Sequence, residues 1–217
     1  AASQCPSYSP MANDPRGVPI SAIIFGGRRS SVAPLVMESL DWTHGVFTGA
    51  AVASETTAAA VGQVGQVRRD PMAMKPFCGY NFADYWAHWL SFGERYANLP
   101  KIFHVNWFRK DAEGRFMWPG YGDNMRVLKW ITERCAGVAN AVTTPVGLMP
   151  SPDDLDLSGL NLPTHVMEAL LAIDPTVWAR EMDDIEGFFA DFGPRLPSAL
   201  RTQIERIRRE IGAQLAA

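Results

Sequence analysis

Between Phe103 and Asn124 the sequence runs FHVNWFRKDAEGRFMWPGYGDN. Aromatic residues at 103, 107, 108, 116, 118 and 121 are interleaved with glycines and two charged clusters. Asp111–Gly114 reads as a hairpin turn between the β-type run KIFHVNWF and a second short strand at Arg115–Trp118. Such a hairpin brings Phe108 and Phe116 near each other, and Pro119–Gly122 makes a tight loop ahead of a helix at Asn124. Two readings are open. The aromatics pack as ordinary core pairs, or they form a slot for a flat heterocycle. Base–aromatic stacking is worth roughly 1–3 kcal/mol per base. The amide of Asn124 both donates and accepts, so it can meet a guanine edge.

Two further stretches carry chemistry of a weaker kind. Gly26-Gly27-Arg28-Arg29-Ser30 follows the apolar run Ile20–Phe25, a buried strand. Glycines there allow close backbone approach, and arginine forks match phosphate oxygens; the alternative is a surface arginine pair. Ser54 to Gln66, SETTAAAVGQVGQ, consists mainly of small residues. These lose little rotamer entropy on ordering, so such a loop switches cheaply between open and closed; the alternative is an Ala-rich helix end with a flexible connector.

Other engines are missing from the sequence. It has no G-x-x-x-x-G-K-[ST] loop, no G-x-G-x-x-G after a strand and no G-x-S-x-G turn. His44, His88, His104 and His165 are scattered, with no H-E-x-x-H. Glu181, Asp183, Asp184 and Glu186 read as the solvent face of a helix. Cys5, Cys78 and Cys135 make neither a zinc spacing nor a disulfide framework, which points to a reducing interior. The formal charge of −3 argues against non-specific nucleic-acid binding. No apolar run approaches the roughly 20 residues that span a bilayer, and AASQCPSYSP is no signal peptide.

The elements that position these stretches predict a mixed α/β (α+β) fold. The 217 residues, 47% hydrophobic, suffice for a sizeable core in one unit, 1–217. Residues 1–18 read as a Pro-punctuated surface loop. Helices are expected at 34–40, at 43–53, at 81–96 with Asn81 as N-cap, and at 123–135 with Val127, Leu128 and Trp130 inward. A Pro-rich linker at 144–163 precedes two terminal helices within 175–214.

Taken together, the runs ASQCP (2–6), IIFGGRR (23–29), HGVF (44–47), SETTAAA (54–60), DPMAMKPFCGYNF (70–82), FHVNWFRKD (103–111), FMWPGYGDN (116–124) and DLSGL (156–160) are similar to one family. The chain resembles the C-terminal third of GTP-dependent phosphoenolpyruvate carboxykinases, almost end to end. The resemblance implies the nucleotide-binding part of that fold. Phe108, Phe116 and Tyr121 match the family's three guanine-pocket aromatics, with Tyr121 standing where Phe is usual. Asn124 matches the asparagine that reads the base, and Gly122 and Asp123 complete the loop, so that 103–124 is the guanine-pocket segment. Arg28 matches the arginine on the nucleotide phosphates, and Arg29 its neighbour. Residues 56–66 match the mobile lid, beginning Thr56, Thr57, Ala58, Ala59, Ala60, Val61 and Gly62. Its second half, VGQVGQ, departs from the charged pattern of animal members.

The family converts oxaloacetate and GTP to phosphoenolpyruvate, CO₂ and GDP, with manganese and magnesium as metals. The resemblance implies GTP/GDP and the two small acids as substrates, no nucleic-acid or membrane partner, a monomeric parent and a cytoplasmic home. The family's metal-ligating Lys, His and Asp, its phosphate loop and its oxaloacetate-binding arginines match nothing here and belong upstream of ASQCP. The expectation is therefore a chain cut at a loop from a longer enzyme, with no catalytic or metal residue of its own. The rival class is a non-catalytic nucleotide-binding or interaction module.

Overall fold

The computed structural model describes residues 1–57 and 63–216. Its frame is a five-stranded mixed sheet in the order β1-β5-β2-β7-β6. The strands are β1 Ala22–Gly26, β2 Val36–Glu38, β5 Lys101–Val105, β6 Val142–Thr144 and β7 Gly147–Met149. β1 runs parallel to β5, with Ala22 opposite Lys101 and Gly26 opposite Val105. The pairs β5–β2, β2–β7 and β7–β6 are antiparallel. A separate hairpin pairs β3 Ala53–Glu55 with β4 Val67–Arg69.

Among the described residues six α-helices cover the sheet: α1 Trp42–Ala50, α2 Phe82–Arg95, α3 Asn124–Cys135, α4 Thr164–Leu171, α5 Pro175–Ala190 and α6 Ser198–Leu215. Several begin where their sequence dictates. Asp41 accepts from the His44 N–H, Asn81 from the Ala83 N–H, and Asp174 from the Thr176 and Val177 N–H groups with Pro175 at the first helical position. Successive residues of a strand point to opposite faces, and β5 divides the core accordingly. Ile102 joins Val46, Phe47, Trp86, Met182 and Phe189 on the side of α1, α2, α5 and α6. Phe103 and Val105 join Trp118, Val127, Trp130 and Leu170 on the side of α3 and α4. Each such fully buried side chain is worth about 1.5–3 kcal/mol relative to exposure.

Two expectations are corrected here. Residues 34–40 hold the central strand β2, not a helix. Leu35, Val36, Met37 and Glu38 are all buried, and a short run buried on both faces carries no periodicity to separate strand from helix. The start of the stretch read as a Pro-rich linker belongs to the sheet, because Pro145 and Val146 turn β6 back into β7. Gly147 permits that closure, since a Cβ there would lie 2.6 Å from the Glu38 carbonyl oxygen.

Candidate functional site

The aromatics of 103–121 divide into two groups. Phe103 and Trp118 are fully buried, and Trp107 packs against them. Phe116 and Tyr121 are 59% and 97% exposed, and Phe108 is half-buried. A large ring left in water is informative where a buried one is not. The second strand expected at Arg115–Trp118 reduces to a single bridge between Lys110 and Phe116. Around the Gly114 turn (φ +79°), the Asp111 N–H bonds the Arg115 carbonyl and the Met117 N–H that of Arg109. This brings the rings of Phe108 and Phe116 edge to face at 5.9 Å. The Arg28 guanidinium sits 5.7 Å from the Phe108 centroid, within cation–π range.

The loop after Trp118 is tied back to that residue through a side-chain bond. The Trp118 indole N–H donates to Asn124 at 2.9 Å. An indole nitrogen only donates, so the acceptor is the amide oxygen, and the amide N–H₂ of Asn124 remains as a donor. Such a donor matches the O6 acceptor on a guanine edge. Asp123 accepts from the Arg126 Nε at 2.9 Å. Gly122 is open, with nothing near a Cβ built on it. Gly120 (φ +86°) supplies the backbone reversal.

Asn106, which sequence reading passed over, joins this loop to the Gly26–Ser30 loop. Fully buried, it accepts from the N–H groups of Arg29 and Phe108 and donates to the carbonyls of Arg29 and Ala33. A polar residue ending an apolar β-run was the available signal. On the other side the Arg28 N–H donates to the Ser54 hydroxyl at 2.8 Å and the Glu55 N–H to the Arg28 carbonyl at 2.8 Å. Glu55 also accepts from the Ser30 N–H and hydroxyl. Gly27 makes this approach possible: a Cβ there would lie 2.1 Å from the Ala53 carbonyl oxygen. Gly27→Ala is expected to lower stability by about 1–3 kcal/mol through overpacking, read as a drop in the thermal midpoint; an unchanged midpoint would refute the contact.

Arg28 and Arg29, adjacent in sequence, have different surroundings. Arg28 is exposed, with its guanidinium over Phe108. Arg29 is buried and forms a two-pronged pair with Glu181 of α5 at 2.8 and 2.6 Å. Arg69, at the foot of the β3–β4 hairpin, donates to the same carboxylate at 2.8 Å, and also to Asp184 and to the Ala51 carbonyl. The expectation that Glu181 lies on a solvent face is therefore wrong. It falls on the α5 stripe of Trp178, Met182, Ile185 and Phe189, and its burial is made tolerable by two guanidiniums. Burial alone would raise its carboxyl, but the hydrogen bonds and charges of Arg29 and Arg69 hold it below the usual range.

Thr56 and Thr57 continue β3 outward. The Thr56 N–H bonds the Gln66 carbonyl and the Gly65 N–H bonds the Thr56 carbonyl, so both ends of the 56–66 stretch belong to one hairpin. Ala58, Ala59, Ala60, Val61 and Gly62 lie outside the described residues. Beneath the hairpin lies an open groove of about 480 Å³, lined by Arg28, Ser54, Glu55, Thr56, Arg68 and Lys75 among others. Among the described residues no three His, Cys, Asp or Glu side chains are grouped to hold a metal ion.

The model for the phosphoenolpyruvate carboxykinase C-terminal P-loop domain matches residues 1–210. The chain belongs to the GTP-dependent phosphoenolpyruvate carboxykinase family. It is 53% identical over 220 residues to the phosphoenolpyruvate carboxykinase (GTP) of Treponema pallidum strain Nichols, covering all of this chain and 36% of the relative. The corresponding protein of Anaeromyxobacter dehalogenans strain 2CP-1 is 54% identical over 94% of this chain and 35% of its own length. That of Chlamydia caviae is 50% identical over 96% and 35%. The chain thus spans about a third of the length of the carboxykinases it matches. Its mixed sheet and helices are those of a carboxykinase C-terminal domain. Among the described residues no helix is long and apolar enough to cross a membrane.

Proposed function

We propose that this chain supplies the guanine-binding face of a GTP-dependent phosphoenolpyruvate carboxykinase, a lyase converting oxaloacetate and GTP to phosphoenolpyruvate, CO₂ and GDP. The observation that carries the reading is the cluster at the end of β5: Phe108 and Phe116 edge to face, with Arg28 against the Phe108 ring. Its rings are left outside the core while their neighbours Phe103 and Trp118 are buried. A flat base stacks on the ring faces, Tyr121 closes from the exposed loop, and the Asn124 amide donates to the base edge. Arg28 stands between the aromatic rings and the groove under the β3–β4 hairpin, where it meets the phosphates. Residues 56–66, whose described ends pair as part of that hairpin, act as the lid that excludes water. In this reading the metal-dependent chemistry, with manganese and magnesium, is carried by residues outside this chain, within a cytoplasmic parent enzyme.

The test is a calorimetric titration of the chain with guanosine and GTP against adenosine and ATP. Phe108→Ala is expected to weaken guanosine and GTP binding by roughly 5- to 100-fold, the worth of one stacked base. Its thermal midpoint should change little, since the ring is only half-buried. Asn124→Ala removes the guanine-over-adenine preference, although it also frees the Trp118 indole. A Phe108→Ala variant that loses stability but keeps its guanosine affinity would return these rings to the core and sink the proposal.

A further inference from the structure

One side chain ties the two halves of the candidate site together. Asn106 follows the last residue of β5 and is fully buried. Its backbone N–H donates to the Leu35 carbonyl at 3.0 Å, which anchors it to the segment leading into β2. Its amide is spent on four backbone groups. The oxygen accepts from the N–H groups of Arg29 and Phe108, both at 3.2 Å. The nitrogen donates to the carbonyls of Arg29 at 2.9 Å and Ala33 at 3.0 Å. Two N–H groups and two carbonyls admit one orientation of the amide, and its two acceptor and two donor places are all filled.

These bonds join segments 77 positions apart. On one side Phe108 is held through its own N–H. On the other, the Arg28 N–H and carbonyl are bound to Ser54 and Glu55, and the next residue, Arg29, is bound to Asn106 through both its N–H and its carbonyl. The Lys110 N–H adds a bond to the Ser30 carbonyl at 2.9 Å. The 5.7 Å between the Arg28 guanidinium and the Phe108 ring is thus set from the buried side, by an amide whose hydrogen bonds go to backbone alone. A ligand that touches both groups gains from the second contact only as far as their spacing is fixed in advance.

We propose that Asn106 is a positioning residue for nucleotide binding: it fixes the spacing between the Phe108 ring and the Arg28 guanidinium, so that a ligand carrying both a base and phosphates is held more tightly than its parts. This rests on the base-binding reading above, in which Phe108 stacks the base and Arg28 meets the phosphates. The amide is what the junction requires. An aspartic acid of the same shape can accept from both N–H groups but offers at most one hydrogen to the two carbonyls, and its ionised form offers none. Asn106→Asp therefore sets oxygen against oxygen on the Arg29 side and loosens the junction there.

The experiment titrates the full chain with guanosine and GTP, using wild type, Asn106→Asp, Arg28→Gln, the double variant of those two and Phe108→Ala. Arg28→Gln is expected to weaken GTP about 5- to 10-fold, the worth of one charge-assisted contact, and to leave guanosine within about twofold. Asn106→Asp should weaken GTP by about the same factor, again with guanosine within about twofold. Adding Arg28→Gln to it should then cost less than about twofold more, because the two act through one contact. A residue that only held the fold together would weaken both ligands alike, and its effect would multiply with that of Arg28→Gln; either result overturns the proposal. Wild type supplies a test that does not depend on the variant folding. Saturating guanosine, which carries no phosphate, should slow amide hydrogen exchange at Arg29 together with Phe108, beyond any slowing in α3, because the two N–H groups share one oxygen. Slowing at Phe108 with none at Arg29 overturns the proposal as well. If wild type has no guanosine affinity, or Phe108→Ala keeps it, the base-binding reading fails and the proposal falls with it. If guanosine binds at Phe108 but the Asn106 and Arg28 effects multiply, the base-binding reading stands and the proposal alone fails.

Discussion

Replacing Glu181 with Ala is expected to lower the unfolding free energy by about 3–5 kcal/mol, the usual cost of breaking a buried ion pair from one side. The carboxylate is 9% exposed and serves two guanidiniums at once, Arg29 at 2.6 Å and Arg69 at 2.8 Å. Removing it leaves both cations facing each other in a poorly hydrated space. Arg69 retains Asp184 and the Ala51 carbonyl, but among the described residues Arg29 retains no paired carboxylate. The damage should therefore be felt first in the Gly26–Ser30 loop and second at the foot of the hairpin. Urea unfolding measures the total. Amide hydrogen exchange at Arg29, Ser30 and Val67–Arg69 locates it, with exchange at α3 unaffected below the global transition. A loss under about 1 kcal/mol would mean that the pair is solvated and nearly neutral in worth.

Acid should destabilise the chain well before its carboxylates titrate. Burial, aided by the Arg206 charge, pushes the His44 imidazole down to about 3. Burial, aided by the Arg29 charge, pushes His104 down to about 4. Both rings are thus neutral in the fold and titrate near 6.5 once unfolded. Because the folded values are depressed, the unfolded chain binds more protons below pH 6.5. The stability present above that pH is lost progressively as pH falls toward 4. By pH 5 each ring should cost roughly 2 kcal/mol relative to pH 7. Glu181 adds a second loss below about pH 4.5, since its folded value is also lowered. Urea midpoints taken between pH 7 and 4.5 check this. His104→Gln, which cannot protonate, should flatten the upper part of the curve, and an unchanged slope in that variant would remove His104 from the account.

Much of the local structure was legible in the chain. Asn81 and Asp174 mark helix starts, and the stripe of Trp178, Met182, Ile185 and Phe189 marks the buried face of α5. Position 181 lies on that stripe, so its burial was available to periodicity. It was masked by the acidic neighbours Asp183, Asp184 and Glu186, which do face outward. The strand at Val36–Glu38 was not legible, because every residue of it is buried and no alternation survives. The hairpin expected at Arg115–Trp118 was half legible. Gly114 makes the turn, but after a single bridge the chain leaves the ladder so that Trp118 can enter the core.

By itself the sequence determined which chemical types were on offer and in what order: six aromatics with glycines, paired arginines after a strand, a small-residue stretch between strands, and an acidic helix near the end. Only the tertiary structure decided how each was used. Phe108, Phe116 and Tyr121 stay outside while Phe103 and Trp118 are buried, because packing against α3 and α4 is a property of the assembled layers. Among the described residues Arg28 has no carboxylate partner while Arg29 is spent on one, because the partner of Arg29 lies 152 positions away. A side chain's charge is local information. Whether that charge remains available to a ligand depends on the partner that folding brings to it, and the helix carrying Glu181 meets the Gly26–Ser30 loop only when the sheet and its two helical layers have formed.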